Sequence, residues 1–207
     1  MNNPYSKTIF LTSVAELTQL SPDYGTEIAF VGRSNVGKSS VLNALTEQKG
    51  LAKTSKTPGR TQLINFFQVD DHTRLVDLPG YGYAKVPVAI KERWQRILGQ
   101  YLQTRACLRG LILIMDIRHP LTTTDQTMLE LALEAQLFVH IVLNKADKLS
   151  MQAKQKTLRE VQKSIAELAT VQTFSALRHE GLNELIKTLG LWRNHAHKSI
   201  NSLELKS

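Results

Sequence analysis

A glycine-rich segment carries the residue types best suited to bind a phosphorylated ligand. The segment reads Gly32-Arg33-Ser34-Asn35-Val36-Gly37-Lys38-Ser39 and fits the pattern G-x-x-x-x-G-K-[ST] at every fixed position. Glycines let the backbone curl so that its N–H groups converge on phosphate oxygens. Lys38 can reach the β- and γ-phosphates, and the Ser39 hydroxyl can bind Mg²⁺. The sequence therefore predicts a nucleoside triphosphate site.

The segment Asn144-Lys145-Ala146-Asp147 indicates which base such a site selects. Guanine presents N1–H and its 2-amino group as adjacent donors, and the Asp147 carboxylate can accept from both. Adenine lacks this pair, and an unpartnered buried polar group costs about 1–3 kcal/mol. We expect Asn144 to tie the loops together and the stem of Lys145 to cover the base. A backbone N–H at Ser175-Ala176 is the expected donor to guanine O6.

Two further segments have the residues needed to sense the γ-phosphate. Asp77-Leu78-Pro79-Gly80 follows a predicted strand, with Asp77 placed to hold Mg²⁺ through water and the Gly80 N–H placed to meet the γ-phosphate. The segment 53–62 should supply a threonine that completes the Mg²⁺ shell. Thr61 is the preferred candidate and Thr57 the alternative. We call the segment 53–62 the first switch and Asp77-Leu78-Pro79-Gly80 the second switch, and we expect γ-phosphate and Mg²⁺ to order both.

The expected hydrolysis is slow, because Tyr81 follows Gly80 where small signalling GTPases place a water-orienting glutamine. A partner or K⁺ would then raise the rate. The Asn35 side-chain carbonyl could hold K⁺ beside the β/γ bridge and act electrostatically. A local hydrogen bond of Asn35 is an equal alternative. The predicted catalytic residues are Lys38, Thr61, Gly80 and Asn35.

Alternating strands and helices must position these segments. Six strands are predicted, at 27–31, 63–69, 73–78, 111–116, 138–143 and 171–174. Helices are predicted at 37–47, 88–105, 122–136 and 151–168, with a last one marked by Leu182, Leu185, Ile186 and Leu189. This order predicts an α/β, three-layer domain: a mostly parallel six-stranded sheet with one antiparallel edge strand and helices on both faces. All the motifs follow strands, at the edge where such sheets bind ligands.

Composition limits the class of protein. The chain has 207 residues and a net charge of +8, which favours anionic partners. Cys107 is its only cysteine, which excludes an internal disulfide and favours a reducing compartment. No apolar run approaches the roughly 20 residues of a membrane span. We expect a cytoplasmic protein without a membrane partner. The predicted domain covers 25–190, between an N-terminal extension (1–24) and a C-terminal tail (191–207).

Basic residues concentrate in two stretches. Between Gln48 and Val69, which includes the first switch, there are four basic residues and no acidic one. Lys91–Arg109 has five basic residues and one acidic residue. A basic switch could contact RNA phosphates in a nucleotide-dependent way. A solvated basic surface that only aids solubility is the alternative.

On these motifs the sequence resembles the EngB-type ribosome-assembly GTPases, a branch of the translation-factor-related GTPases, over about residues 25–190. The resemblance rests on the segments Gly32 to Ser40, Thr57-Pro58-Gly59-Arg60-Thr61-Gln62, Asp77 to Ala84, Asp116-Ile117-Arg118-His119 and Asn144 to Asp147. It implies a monomeric GTPase that helps mature the large ribosomal subunit and supports bacterial growth and division. It also implies nucleotide contacts at Ser40, Gly59 and Arg60 and metal contacts at Ser39, Thr61 and Asp77.

Three other functions are less consistent with the sequence. A membrane-coupled metal-transport GTPase is disfavoured because no spanning segment is predicted. A nucleoside kinase is disfavoured by the Asn144 to Asp147 segment and the paired switches. A nucleotide-stabilised RNA- or protein-binding module with negligible turnover stays open because of Tyr81.

Overall fold

The structure is a computed structural model that describes residues 3–52, 63–82 and 88–194. For Val88, Ile90 and Lys91 it describes the backbone alone. The predictions on the first switch concern residues outside these ranges, namely Thr57, Gly59, Arg60 and Thr61. The segments 83–84 and 195–207 also lie outside them.

Strands and helices alternate along the described chain as the sequence predicts. The strands are β1 (Ile9–Val14), β2 (Thr26–Gly32), β3 (Ile64–Asp70), β4 (Thr73–Asp77), β5 (Leu108–Asp116), β6 (Phe138–Asn144) and β7 (Thr170–Thr173). The helices are α1 (Lys38–Thr46), α2 (Val88–Thr104), α3 (Thr123–Glu134), α4 (Met151–Ile165) and α5 (Leu182–Asn194). No described helix is long and apolar enough to cross a lipid bilayer.

All described strands join one sheet in the order β1-β3-β4-β2-β5-β6-β7. Strands β4, β2, β5, β6 and β7 are parallel, and β3 is antiparallel to both β1 and β4. The predicted fold class is therefore confirmed, but the predicted count of six strands is wrong, because β1 adds a seventh. It also displaces β3 from the edge. The sequence pattern does not indicate β1, because a run of exposed apolar residues replaces the alternation of apolar and polar side chains that is typical of a strand. A register shift between Phe10 and Thr12 also interrupts the pairing of β1 with β3.

The described part of the predicted N-terminal extension, residues 3–24, packs closely against the rest of the fold. Besides providing β1, it buries the ring of Tyr5 completely beside α1 and α5. The Asn3 side chain donates to the Leu45 carbonyl at 2.7 Å. At the other end, Trp192 in α5 is also buried in the core, although it falls in the segment 191–207 predicted as a tail.

Apolar side chains cover both faces of the sheet, as expected for parallel strands between helices. In β2, Ala29 and Val31 face a cluster with α2, α3 and α4. Ile28 and Phe30 face the opposite cluster, with α1 and α5. Because both faces are covered, the central strands read as continuous apolar runs, and solvent-exposed loops carry the functional motifs.

A buried carboxylate joins β2, β4 and α2 at the edge of the sheet opposite the motifs. Glu27 is fully buried. Its Oε1 accepts from Arg105 Nη2 at 2.6 Å and lies 3.1 Å from Arg74 Nε. Its Oε2 accepts from Arg105 Nε at 2.9 Å and from the Tyr101 hydroxyl at 2.7 Å. Burial raises the pKa of Tyr101, so the phenol stays a neutral donor.

This network changes the interpretation of the basic stretch Lys91–Arg109. Arg105 is buried in the ion pair with Glu27, and Arg93 is paired with Glu16. Arg109 is only partly exposed, whereas Arg96 is exposed. Arg105 is therefore not available to RNA, because its charge is neutralised inside the fold, and a count of charges along the sequence does not show this.

We predict that Glu27→Gln lowers the free energy of unfolding by about 3–5 kcal/mol, because it leaves buried guanidinium groups without their counter-charge. Urea-induced unfolding measures this loss. The matched control is Glu160→Gln, which removes the same charge from an exposed pair with Lys156. It should cost at most about 1 kcal/mol. Equal losses in the two variants would contradict a dominant role for the buried network.

Candidate functional site

The phosphate loop runs from the end of β2 to the first residue of α1, and its two fixed glycines are required by packing. Gly37 has φ +96°, and a Cβ atom there would lie 2.4 Å from Asn144 Nδ2. A Cβ atom at Gly32 would lie 2.5 Å from the Ile114 carbonyl oxygen. Val36 is buried, while Asn35 is exposed with φ +65°. The loop therefore has the tight curl that a phosphate cradle requires.

The segment Asn144 to Asp147, which begins at the end of β6, is called here the base-selecting loop. It is bonded directly to the phosphate loop, residues 32–39. Asn144 Nδ2 donates to the Val36 carbonyl at 2.9 Å. Lys145 Nζ donates to the Asn35 carbonyl at 2.6 Å. The role predicted for Asn144 as the residue that ties the two loops is consistent with this bond. Lys145 makes a second tie that the sequence analysis did not anticipate.

Asp147, the predicted acceptor for guanine, is bonded to a nearby serine. Asp147 Oδ1 accepts from the Ser175 hydroxyl at 2.7 Å, and this hydrogen bond lowers the pKa of Asp147. The carboxylate is therefore ionised at neutral pH and can accept from two donors. The Ser175 N–H donates to the Glu180 carbonyl at 3.0 Å, so it is already engaged. The Ala176 N–H lies 3.4 Å from Asn144 Oδ1, a long contact, and it is the better candidate donor to guanine O6.

Lys38 and Asp77 meet beside the phosphate loop. Lys38 Nζ donates to Asp77 Oδ1, and Asn65 Nδ2 donates to Asp77 Oδ2 at 3.3 Å. Asp77 is buried at the end of β4. Asn65 lies on β3, and no sequence motif predicted its contact with Asp77.

The donor set fits Mg²⁺. Among the described residues, no group of three or more His, Cys, Asp or Glu side chains could hold a metal ion. Mg²⁺ in nucleotide sites needs no such cage, because it takes one or two protein oxygens together with phosphates and waters. The Ser39 hydroxyl, in the first turn of α1, and the Asp77 carboxylate would supply those oxygens.

Tyr81 is fastened to the phosphate loop and to α3. Its N–H donates to the Gly32 carbonyl at 3.3 Å, and its carbonyl accepts from the Ser34 N–H at 3.0 Å. Its hydroxyl donates to Asp125 Oδ1 at 2.8 Å. Burial, together with Asp125, raises the pKa of Tyr81, so the phenol remains protonated. The residue after Gly80 therefore holds the second switch against the loop.

Asp125 is the residue that sequence reasoning missed. It is fully buried, and Oδ1 also faces Arg33 Nε at 3.3 Å. Oδ2 accepts from the Thr122 N–H at 3.0 Å and from the Thr122 hydroxyl at 2.7 Å, which caps α3. The signal was the spacing Thr122-x-x-Asp125, typical of a helix N-terminus.

The Arg33 side chain belongs to this same network. In addition to Asp125, it reaches the His119 carbonyl through Nη2 at 3.0 Å. Arg33 is part of the glycine-rich segment that is predicted to bind the nucleotide. Its backbone lies in the phosphate loop, whereas its guanidinium connects that loop to the segments after β5.

Comparison with known proteins identifies the family. The profile described as "50S ribosome-binding GTPase" matches residues 27–145. The "Probable GTP-binding protein EngB" of Coxiella burnetii (strain RSA 331 / Henzerling II) is 54% identical over 191 residues, covering 91% of this chain and 93% of that protein. The chain belongs to the EngB family of GTP-binding proteins. Members of this family are GTP hydrolases, so the chain is a GTPase, as predicted.

Solved structures show the same fold. A crystal structure of a probable GTP-binding protein EngB aligns with a TM-score of 0.68 at 20% identity, covering 81% of this chain and 98% of that one. Era of Aquifex aeolicus, solved as a point variant bound to GDP and AlF4⁻, aligns with a TM-score of 0.66 at 23% identity, covering 84% of this chain and 58% of that one. These likenesses show that the chain shares its fold with both solved structures.

We predict that Tyr81→Phe lowers the free energy of unfolding by about 1.5–3 kcal/mol, because the buried Asp125 carboxylate loses a donor. The control is Tyr24→Phe, which removes an exposed hydrogen bond to the Asp71 carbonyl and should cost about 0.5 kcal/mol. Chemical denaturation of both variants measures the difference. An unchanged stability of Tyr81→Phe would mean that its hydroxyl does not hold the second switch.

Proposed function

We propose that this GTPase is a molecular switch that binds the precursor of the large ribosomal subunit in its GTP state and assists assembly there. Normal bacterial growth and division would depend on this step. The observation that carries the proposal is the match to a family described as 50S ribosome-binding GTPases. The net charge of +8 is consistent with an rRNA partner.

We assign the nucleotide contacts to the loops that the structure brings together. The phosphates would lie in the loop 32–40, against its N–H groups and the start of α1. The base would lie between Lys145 and the segment 175–176, with Asp147 as its acceptor. The support is the bonding of the two loops through Asn144 and Lys145. The contacts expected at Gly59 and Arg60 belong to the same proposal.

Hydrolysis would rely on electrostatic stabilisation of the transferred phosphoryl group. Ser39, Asp77 and Thr61 would hold Mg²⁺, which would supply positive charge to neutralise the β- and γ-phosphates. Lys38 and the Gly80 N–H would stabilise the remaining charge. Because the Tyr81 hydroxyl is engaged by Asp125, it does not orient the attacking water in this arrangement. The site therefore lacks a water-orienting side chain at that position, which supports slow intrinsic turnover.

A partner or an ion would supply the missing stabilisation. The exposed Asn35 is the proposed K⁺ ligand, through its side-chain carbonyl. The ribosomal precursor, through rRNA or a ribosomal protein, is the proposed activating partner. We propose that the protein acts as a cytoplasmic monomer.

The described surface offers a basic face for RNA on α4. Lys156, Arg159 and Lys163 are exposed along this helix. Their spacing of three and four residues places them on one side of the helix. In the other basic stretch, Lys91–Arg109, Arg105 is buried and cannot contact RNA. The basic first switch remains a second candidate.

We predict that Asp147→Asn weakens GTP binding and favours xanthosine triphosphate. An amide can donate to the 2-oxo group of xanthine while accepting from N1–H, whereas guanine presents two donors. Titration with fluorescent GTP, GDP and xanthosine nucleotides measures the change in preference. The control is Glu160→Gln, which alters the charge equally outside the site. Unchanged GTP affinity of Asp147→Asn would remove the assignment of the base site.

We predict stronger binding to purified large ribosomal subunits with a non-hydrolysable GTP analogue than with GDP. Because phosphate contacts release counterions, the binding should weaken as salt is raised. Nucleotide-dependent co-sedimentation over a salt series measures both effects. Equal binding in the two nucleotide states would contradict the switch.

The same mixtures separate the switch from a nucleotide-stabilised binding module with negligible turnover. Single-turnover hydrolysis is followed with and without large subunits, and with K⁺ replaced by Na⁺. The switch requires that subunits or K⁺ raise the rate. If neither large subunits nor K⁺ raises the rate, the binding module is favoured. Membership of a GTPase family favours the switch.

A further inference from the structure

A second carboxylate lies at the base-selecting loop, outside the segments that bind nucleotide. Asp116 is the last residue of β5, and its side chain is 10% exposed. Its Oδ2 accepts from Lys145 Nζ at 3.0 Å and from Arg118 Nη2 at 2.6 Å. Its Oδ1 accepts from Arg118 Nε at 2.9 Å and from the Arg118 N–H at 3.1 Å. Four donors therefore converge on one carboxylate.

The backbone around Asp116 is firmly placed beside the base-selecting loop. Asp116 and Asn144 are partners in the register of β5 and β6. The next N–H, from Ile117, donates to the Asn144 carbonyl at 3.0 Å. The His119 N–H donates to the Asp116 carbonyl at 2.9 Å. The carboxylate is thus built on the strand adjacent to the one that carries Asn144 and Lys145.

Lys145 is a side chain that needs such support. Its backbone has φ +65°, a conformation uncommon for a residue with a side chain. Its side chain has four rotatable bonds, and ordering it costs up to about 2 kcal/mol of entropy. The ammonium group is held by two acceptors from different elements, the Asn35 carbonyl and Asp116. Between these anchors and the backbone, the aliphatic stem spans the region where the base is proposed to lie.

We propose that Asp116 is a positioning residue for guanine recognition, which fixes the Lys145 ammonium so that the lysine stem covers the base. The inference rests on the base site assigned under the proposed function. Arg118 completes the arrangement by occupying the remaining acceptor positions of the carboxylate. The hydrogen bonds from Arg118 and Lys145 hold the pKa of Asp116 well below its usual range, so the anchor stays charged at physiological pH.

The proposed role has a signature that distinguishes it from general support of the fold. GTP and GDP share the base, so loss of the anchor should weaken both to the same extent. A defect at the γ-phosphate would instead affect the two nucleotides differently. The effect should also require Lys145, because Asp116 acts through that side chain.

The test is Asp116→Asn, which keeps the size of the side chain and removes its charge. We expect the dissociation constants of GDP and of a non-hydrolysable GTP analogue to rise by a similar factor of about tenfold, the scale of a charged hydrogen bond. Lys145→Met should weaken both nucleotides at least as much. Adding Asp116→Asn to Lys145→Met should change either constant less than twofold, because the two residues act as a unit. Fluorescent-nucleotide binding and dissociation kinetics provide the measurements.

Two further variants keep the test decisive. Glu160→Gln removes the same charge from the exposed pair on α4 and should leave both constants unchanged. Arg118→Gln changes a partly exposed side chain and replaces Asp116→Asn if that variant does not fold. It should weaken GDP and the analogue equally, by about threefold, since Lys145 keeps its contact with a less firmly held carboxylate.

The outcomes separate this inference from the proposed base site. If Lys145→Met weakens both nucleotides but Asp116→Asn does not, the base site stands and the positioning role fails. A full additional loss in the double variant, or a loss confined to one nucleotide, also overturns the role. If Lys145→Met leaves guanine nucleotides unaffected, the ammonium does not contribute to base binding and the inference fails, whereas the base site itself is tested by Asp147→Asn.

Discussion

The close approach of two loops at the carboxyl edge of the sheet is the constraint on which the site depends. Asn144, at the end of β6, donates to the backbone of the phosphate loop at Val36. The loops approach so closely that a Cβ atom at Gly37 would overlap the Asn144 amide. Because β2, β5 and β6 are parallel neighbours, their ends deliver both loops to the same place. The loops predicted to bind the phosphates and the base therefore form one hydrogen-bonded unit.

Two carboxylates outside the nucleotide motifs stabilise this unit from adjoining elements. Asp116 engages the base-selecting loop through Lys145, and Asp125 engages the phosphate loop and the second switch through Arg33 and Tyr81. Each carboxylate also has a local partner, Arg118 in one case and Thr122 in the other. A buried carboxylate that accepts hydrogen bonds at both oxygens can hold cations and hydroxyls in one geometry. Moving any one donor would break a hydrogen bond to a buried charge.

Much of the fold and of the site was predictable, because local signals and global structure agree there. Predicted strand and helix ends lie within three residues of the observed ones. The motif spacing placed Gly32, Lys38, Asp77 and Asn144 together correctly.

The missed strand and the misjudged surface charge have the same cause. The strand β1 depends on pairing with β3 rather than on its own pattern, and Arg105 looks like a surface charge until Glu27 is brought to it.

The sequence by itself determined the fold class, and it predicted the phosphate loop and Asp147 as the acceptor for guanine, because each has a signature in residues that lie close together along the chain. Only the tertiary structure decided which N–H at 175–176 is available, where the Tyr81 hydroxyl is held, and that Asp116 and Asp125 support the loops. The contacts of Lys145 with Asp116, of Tyr81 with Asp125 and of Arg33 with Asp125 join residues 29, 44 and 92 positions apart. The packing of parallel strands determines which residues make these contacts, and local residue patterns do not indicate that packing.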